Sequence, residues 1–139
     1  MKLTISLRRA MKVFLGGTCN DSTWRERLIP MLNIDFFNPV VPNWTPECME
    51  EERRQREICD YNLYVITPKM TGVFSIAEVV CDSIKRSSKT VFCALRSDDG
   101  AEFSEAQWKS LQQVRRMIDE HCAKTCDSLE DVAAFLNGV

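Results

Sequence analysis

The stretch "NLYVITPKMTGVFSIAEVVCDS", residues 62–83, carries two structural periods in succession. Residues 62–67 form a short apolar run, rich in β-branched and aromatic residues, the pattern of a buried strand. Pro68 and Gly72 punctuate the loop that follows. From Phe74 onward the apolar residues recur at helical spacing. A strand that runs through a loop into a helix is half of a βαβ unit. One acid, Glu78, stands among Ile76, Ala77, Val79 and Val80. Ser75 and Glu78 lie three residues apart ahead of an apolar run, the spacing of a capping box. A carboxylate in the first turn of a helix that opens after a strand is equally placed to do chemistry. The residues leave both readings open.

The same alternation extends in both directions. "KVFLGG" (12–17) reads as a buried strand and its turn. "DSTWRERLIPMLN" (21–33) offers Thr23 and Glu26 as a capping box, with Trp24, Leu28, Met31 and Leu32 on one helical face. Pro30 shortens or bends that helix. "IDFFNP" (34–39) is a second strand, and "VVPNWTP" (40–46) is a loop. Thr45 and Pro46 open a charged helix that runs through "ECMEEERRQREICDY" (47–61). "TVFCAL" (90–95) is the fourth strand, and "RSDDGAEF" (96–103) a polar loop with a turn at Asp99–Gly100. Ser104 and Gln107 form a capping box for a long amphipathic helix (104–123). "KTC" (124–126) reads as a short fifth strand, and a capped terminal helix ends at Gly138.

Strands and helices that alternate in this way build a parallel sheet with helices on both faces. For five strands the natural doubly wound, Rossmann-like arrangement is flavodoxin-like, order 2-1-3-4-5. Residues 11–139 are expected to form a single domain. Residues 1–10, "MKLTISLRRA", precede a second methionine and are expected to be an extension outside it. Their apolar core is too short for a secretory signal.

The chain has 139 residues, 27% of them charged, and a formal net charge of −2. That balance disfavours a nucleic-acid partner, which calls for a basic surface. No apolar run approaches the roughly 18 residues of a membrane span. Seven cysteines, an odd number without a secretory signal, point to free thiols and a cytoplasmic location. "HCAKTC" (121–126) gathers His121, Cys122 and Cys126 but lacks a fourth metal ligand, so no metal is expected.

In an open parallel sheet, ligands bind beyond the carboxyl ends of the strands, at the switch in strand order. Here the switch falls between the first and third strands. One bordering loop holds Gly16, Gly17 and Thr18, which let a backbone approach a ligand closely. It matches neither a P-loop nor a dinucleotide fingerprint. The other leads through Gly72 into Ser75 and Glu78. Asn43 and Trp44 either cover a base by stacking or seal a loop over the core. Asp60, at the amino end of the third strand, reads as a structural turn residue.

The segments "KVFLGGTCNDSTWRERLIPML", "FFNPVVPNW", "RQREICDYNLYVITPKMTGVFSIAEVVCDSIKR" and "KTVFCAL" together resemble the nucleoside 2-deoxyribosyltransferase-like proteins. The resemblance implies a flavodoxin-like fold and a catalytic glutamate nucleophile at Glu78, with no cofactor. It implies attack on C1′ of a nucleoside or nucleotide, and transfer of the sugar to a second base or to water. It implies assembly as a homo-oligomer, a dimer or larger. Substrate-binding positions are expected at Gly16, Gly17, Thr18, Asn43, Trp44, Gly72 and Ser75. The family's acid six residues before the nucleophile is Gly72 here, and an aromatic hydroxyl of the first strand is Phe14. The sugar-binding acid of the preceding helix has several matches among Glu50, Glu51, Glu52 and Glu57. Two functions follow: an enzyme of the N-glycosidic bond, transferase or hydrolase, and a non-catalytic module that binds or senses a nucleotide in the same crevice.

Overall fold

The computed structural model describes residues 10–19 and 21–138. The expected extension at residues 1–10 lies outside them except for Ala10. Five parallel strands form one sheet: β1 (Lys12–Gly17), β2 (Asp35–Phe37), β3 (Tyr61–Ile66), β4 (Thr90–Ala94) and, last in the chain, β7 (Lys124–Cys126). Their order is β2-β1-β3-β4-β7, the flavodoxin-like arrangement with its switch between β1 and β3. Register pairs Gly16 with Tyr64 and Gly17 with Val65. Two short strands, β5 (Ser97–Asp98) and β6 (Ala101–Glu102), make an antiparallel hairpin of the expected polar loop. Asp99 and Gly100 both have positive φ there, the backbone that a two-residue hairpin turn requires.

Alternation along each strand divides the core in two. Val13, Leu15, Leu63, Val65, Val91 and Cys93 face one side, under α1 (Trp24–Leu28) and α5 (Leu129–Leu136). Tyr64, Ile66, Phe92 and Ala94 face the other, under α3 (Phe74–Lys85) and α4 (Glu105–Glu120). Pro30 ends α1 in a single 3-10 turn, as its missing amide dictates. α2 (Pro46–Ile58) is attached differently, because only Gln55 on it is buried. Lys89 Nζ donates to the carbonyls of Arg56, Glu57 and Cys59 at 2.8–3.0 Å, satisfying acceptors that the helix end leaves open.

Three of the expected helix starts carry side-chain caps. Thr45 accepts from Cys48, Ser104 and Gln107 form a reciprocal box, and Ser128 accepts from Asp131. Two do not. Thr23 makes no cap bond and donates instead to Asp99, at 2.9 Å. α3 begins at Phe74 behind Val73, so Ser75 is its second residue and Glu78 its fifth, and no side chain caps it. The Ser75–Glu78 capping box therefore does not form. Glu78 stands in the second turn, beyond the reach of most of the helix-end field.

Candidate functional site

β1 ends in a loop whose backbone is fixed from three directions. Gly17 has φ +114°, and a Cβ there would lie 2.1 Å from the carbonyl oxygen of Val65, so only glycine allows the two strand ends to meet. The Thr18 amide donates to that carbonyl at 2.8 Å, and its hydroxyl accepts from the Thr67 amide at 3.0 Å. The Thr18 carbonyl accepts from the Trp24 indole and the Arg25 guanidinium, both at 2.7 Å. Arg25 is buried and also holds the Leu15 carbonyl, while its guanidinium lies over the Trp24 ring. These bonds join the loops after β1 and β3 into one rigid wall. Gly17, Thr18, Cys19, Met70, Gly72 and Ser75 line a cavity of about 150 Å³ between them.

Glu78 opens elsewhere. Its carboxylate is 21% exposed and lies 3.1 Å from Arg56 Nη1. It lines a second cavity of about 380 Å³ with Trp44, Met49, Glu52, Arg53, Arg56 and Phe74. Phe74 borders both cavities, so the single crevice expected from the sequence is two spaces that meet at this ring. Burial pushes the Glu78 carboxyl above its ordinary value, a tendency that Arg56 opposes and that Glu52 and Asp82 reinforce. Burial raises Glu52 in the same way, again against Arg56.

Arg56 is anchored below the cavity. Its Nη2 donates to Asp82 at 2.8 Å, and Asp82, 0% exposed, also accepts from Arg86 at 2.7 Å and from the Tyr64 hydroxyl at 2.5 Å. Burial works against the Arg56 charge, but Asp82 and Glu78 hold it above its ordinary value. Its Nε has no partner among the described residues.

The expected site residues thus sort by position. Gly17, Thr18, Gly72 and Ser75 come together at the smaller cavity, and Trp44 joins Glu78 at the larger. Trp44 is 56% exposed and does not seal the core. Gly16 lines neither space. It is buried where a Cβ would meet the rings of Phe14 and Tyr64 at 3.0 Å, which makes it a packing residue. Asn43 lines neither, and its carbonyl accepts weakly from the Cys48 thiol. Asp60 is structural as expected: its carboxylate accepts from the Lys12 amide at 2.8 Å. Among the acids of α2, Glu52 faces Glu78. Arg56, Asp82 and Tyr64 carried no distinguishing signal in the sequence, because an arginine in a charged helix reads as solvated until its facing is known. His121, set aside as a metal ligand, lies 3.0 Å from the Ser83 hydroxyl. Among the described residues no group of His, Cys, Asp or Glu is arranged to hold a metal. No helix among them is long and apolar enough to cross a membrane.

A family model described as nucleoside 2-deoxyribosyltransferase like matches residues 10–98, the segment that holds both cavities. No curated protein and no solved structure matches the chain.

Proposed function

The chain belongs to the nucleoside 2-deoxyribosyltransferase-like family, and on that premise we propose that it is an enzyme of the N-glycosidic bond with Glu78 as nucleophile. The observation that carries this reading is the setting of Glu78. It lies within reach of Arg56 on the wall of a ligand-sized space, rimmed by two exposed aromatics. Trp44 is 56% exposed and Phe74 73%. Large exposed apolar rings around a carboxylate suit a planar base, which presents a π-face to stack against.

In the reaction proposed, the Glu78 carboxylate attacks C1′ and forms a glycosyl ester. The C1′–N bond breaks, and the base leaves with its electron pair and gains a proton. A second base or water then attacks C1′, the ester C–O bond breaks, and Glu78 recovers its charge. Glu52 takes the part of the sugar-binding acid, since it is the glutamate of α2 that shares the cavity. The smaller cavity, with Gly17, Thr18, Gly72 and Ser75, receives the rest of the sugar or its phosphate. Assembly as a dimer or larger belongs to the same proposal. It is supported by α3, which leaves Phe74 exposed at the cavity mouth and Ala77 and Ile84 exposed further along the helix.

Gly72 favours a second reading. It stands where the family's base-handling acid is expected, and a Cβ there would meet nothing within 4 Å. A crevice without that acid suits a module that binds a nucleotide without turnover. A panel of nucleosides and nucleotides, incubated with and without a second base and read by chromatography, separates these outcomes. Free base regardless of acceptor identifies a hydrolase, and free base only with acceptor a transferase. Thermal stabilisation without free base identifies the binding module and ends the enzyme reading.

A further inference from the structure

Arg56 touches the carboxylate that the proposed reaction uses, yet its anchorage lies outside the cavity. Nη1 meets Glu78 at 3.1 Å, and Nη2 meets the fully buried Asp82 at 2.8 Å. Asp82 sits four residues after Glu78 on α3, so both acids project from one side of the helix toward α2. The titratable and charged groups around Glu78 are Arg56, Glu52 and Arg53 from α2, Asp82 on its own helix, and Tyr64 from β3. Of these, Arg56 alone is a cation in hydrogen-bond reach of its carboxylate among the described residues.

The charges of this cluster change through the reaction. With Glu78 ionised, Arg56 faces two carboxylates, Glu78 through Nη1 and Asp82 through Nη2. When Glu78 becomes a glycosyl ester, its negative charge is gone and Nη1 loses its ionic partner. Asp82 keeps Arg56 in place at that stage, because its bonds to Arg56, Arg86 and Tyr64 do not involve the reacting group. The freed Nη1 then faces the bond that must break, and the electron pair that returns to Glu78 meets a fixed cation.

We propose that Arg56 is a catalytic residue for breakdown of the glycosyl ester, and that Asp82 and Tyr64 are positioning residues that hold it there. The proposal rests on the enzyme reading of Glu78. In the second step water or an acceptor base adds to C1′, the C1′–O bond to Glu78 breaks, and the electron pair returns to the carboxylate beside Arg56. The attacking water or base gives its proton to solvent. The first step gains less from Arg56, since a paired carboxylate is a weaker nucleophile even though more of it is ionised.

The test compares the full-length protein with Arg56→Met, Arg56→Lys and Asp82→Asn, using 2′-deoxynucleosides and their 5′-monophosphates as probes at pH 8.5. In Arg56→Met the first turnover of base release should slow by less than about tenfold and steady-state release by more than about a hundredfold. A glycosyl adduct on Glu78 should accumulate, visible as added intact mass: 2-deoxyribosyl from the nucleosides, 2-deoxyribosyl 5-phosphate from the monophosphates. Arg56→Lys should restore part of the steady-state rate, and Asp82→Asn should shift both phases in the direction of Arg56→Met. A second arm needs no turnover. The Glu78 carboxyl, assigned by its loss in Glu78→Gln, should titrate at higher pH in Arg56→Met than in the wild type by at least about one unit, a tenfold change in its ionisation. Equal slowing of both phases without an adduct, or an unmoved Glu78 midpoint, overturns the role of Arg56 and leaves the enzyme reading standing. A wild-type protein that releases no base from any probe overturns both.

Discussion

Glu78 shows how a single residue is held between stability and use. Burial raises its carboxyl, so the folded state binds this proton more tightly than the unfolded chain does. Its contribution to stability is therefore present below the ordinary carboxylate pKa and is lost as pH rises through the folded value. Glu78→Gln, a permanently neutral near-isostere, should melt above the wild type at pH 7.5, and the gap should close by about pH 4. A lower melting temperature at pH 7.5 would show that the Arg56 pairing outweighs desolvation. The same variant should lose at least about a thousandfold in turnover, since an amide cannot form the ester. The acid limb of the wild-type rate profile should fall above the ordinary carboxylate pKa, because a protonated Glu78 does not attack. Gly17 sets the opposite kind of constraint. Gly17→Ala places a methyl carbon 2.1 Å from the Val65 carbonyl at a φ that alanine resists, and should cost more than about 3 kcal/mol in urea unfolding.

Among the elements, α3 and α2 mark where reading from sequence succeeds and where it stops. The strand–loop–helix order of residues 62–83 was legible because the apolar period changes from run to helical stripe inside it. The first residue of α3 was not, since Ser75 and Glu78 have capping spacing while the chain enters the helix two residues earlier, at Val73. Spacing describes which bonds are available and leaves open which partner wins, and here Arg56 takes Glu78. Ser104→Ala, which removes a cap bond that forms, should cost about 1 kcal/mol. Ser75→Ala removes no cap and should cost less than about 0.5 kcal/mol in the same unfolding experiment. A larger loss for Ser75→Ala would restore the box. α2 hid its facing for another reason. It is polar nearly all round, so no apolar stripe reveals which of Glu50, Glu51, Glu52 and Glu57 turns inward. Arg56 stayed invisible with them, since the acid it needs lies 26 residues further along the chain.

At the scale of the whole molecule, strand order and the two-sided core follow from patterning alone, and the β5–β6 hairpin is what patterning left out. Its two-residue strands are too short to show a period, and its job is polar. Asp98, with no side-chain exposure, accepts from Ser22 at 2.5 Å and Arg27 at 2.8 Å, and Asp99 accepts from Thr23. Lys69 approaches Asp99 at 3.7 Å and donates to the Asp21 carbonyl. The hairpin thereby straps the loop after β1 to the loop after β3. Asp98→Asn weakens the charge-assisted bonds that its buried carboxylate accepts from Arg27 and Ser22, and should cost about 1–2 kcal/mol. Amide exchange should quicken most around residues 18–23 if the strap works as described, and uniform quickening would deny it that local role. The strap also has a consequence for the order of synthesis. Every residue of the Glu78–Arg56–Asp82 cluster, and every partner that holds Gly17 and Thr18, has been translated by residue 86, whereas Ser22, Thr23 and Arg27 wait for residues 98 and 99. A nascent chain that stops between these points has the partners for both walls of the site and lacks the anchor for the segment beside them. The stretch around residues 22–27, among the first to be made, is thus among the last to be fastened during biogenesis.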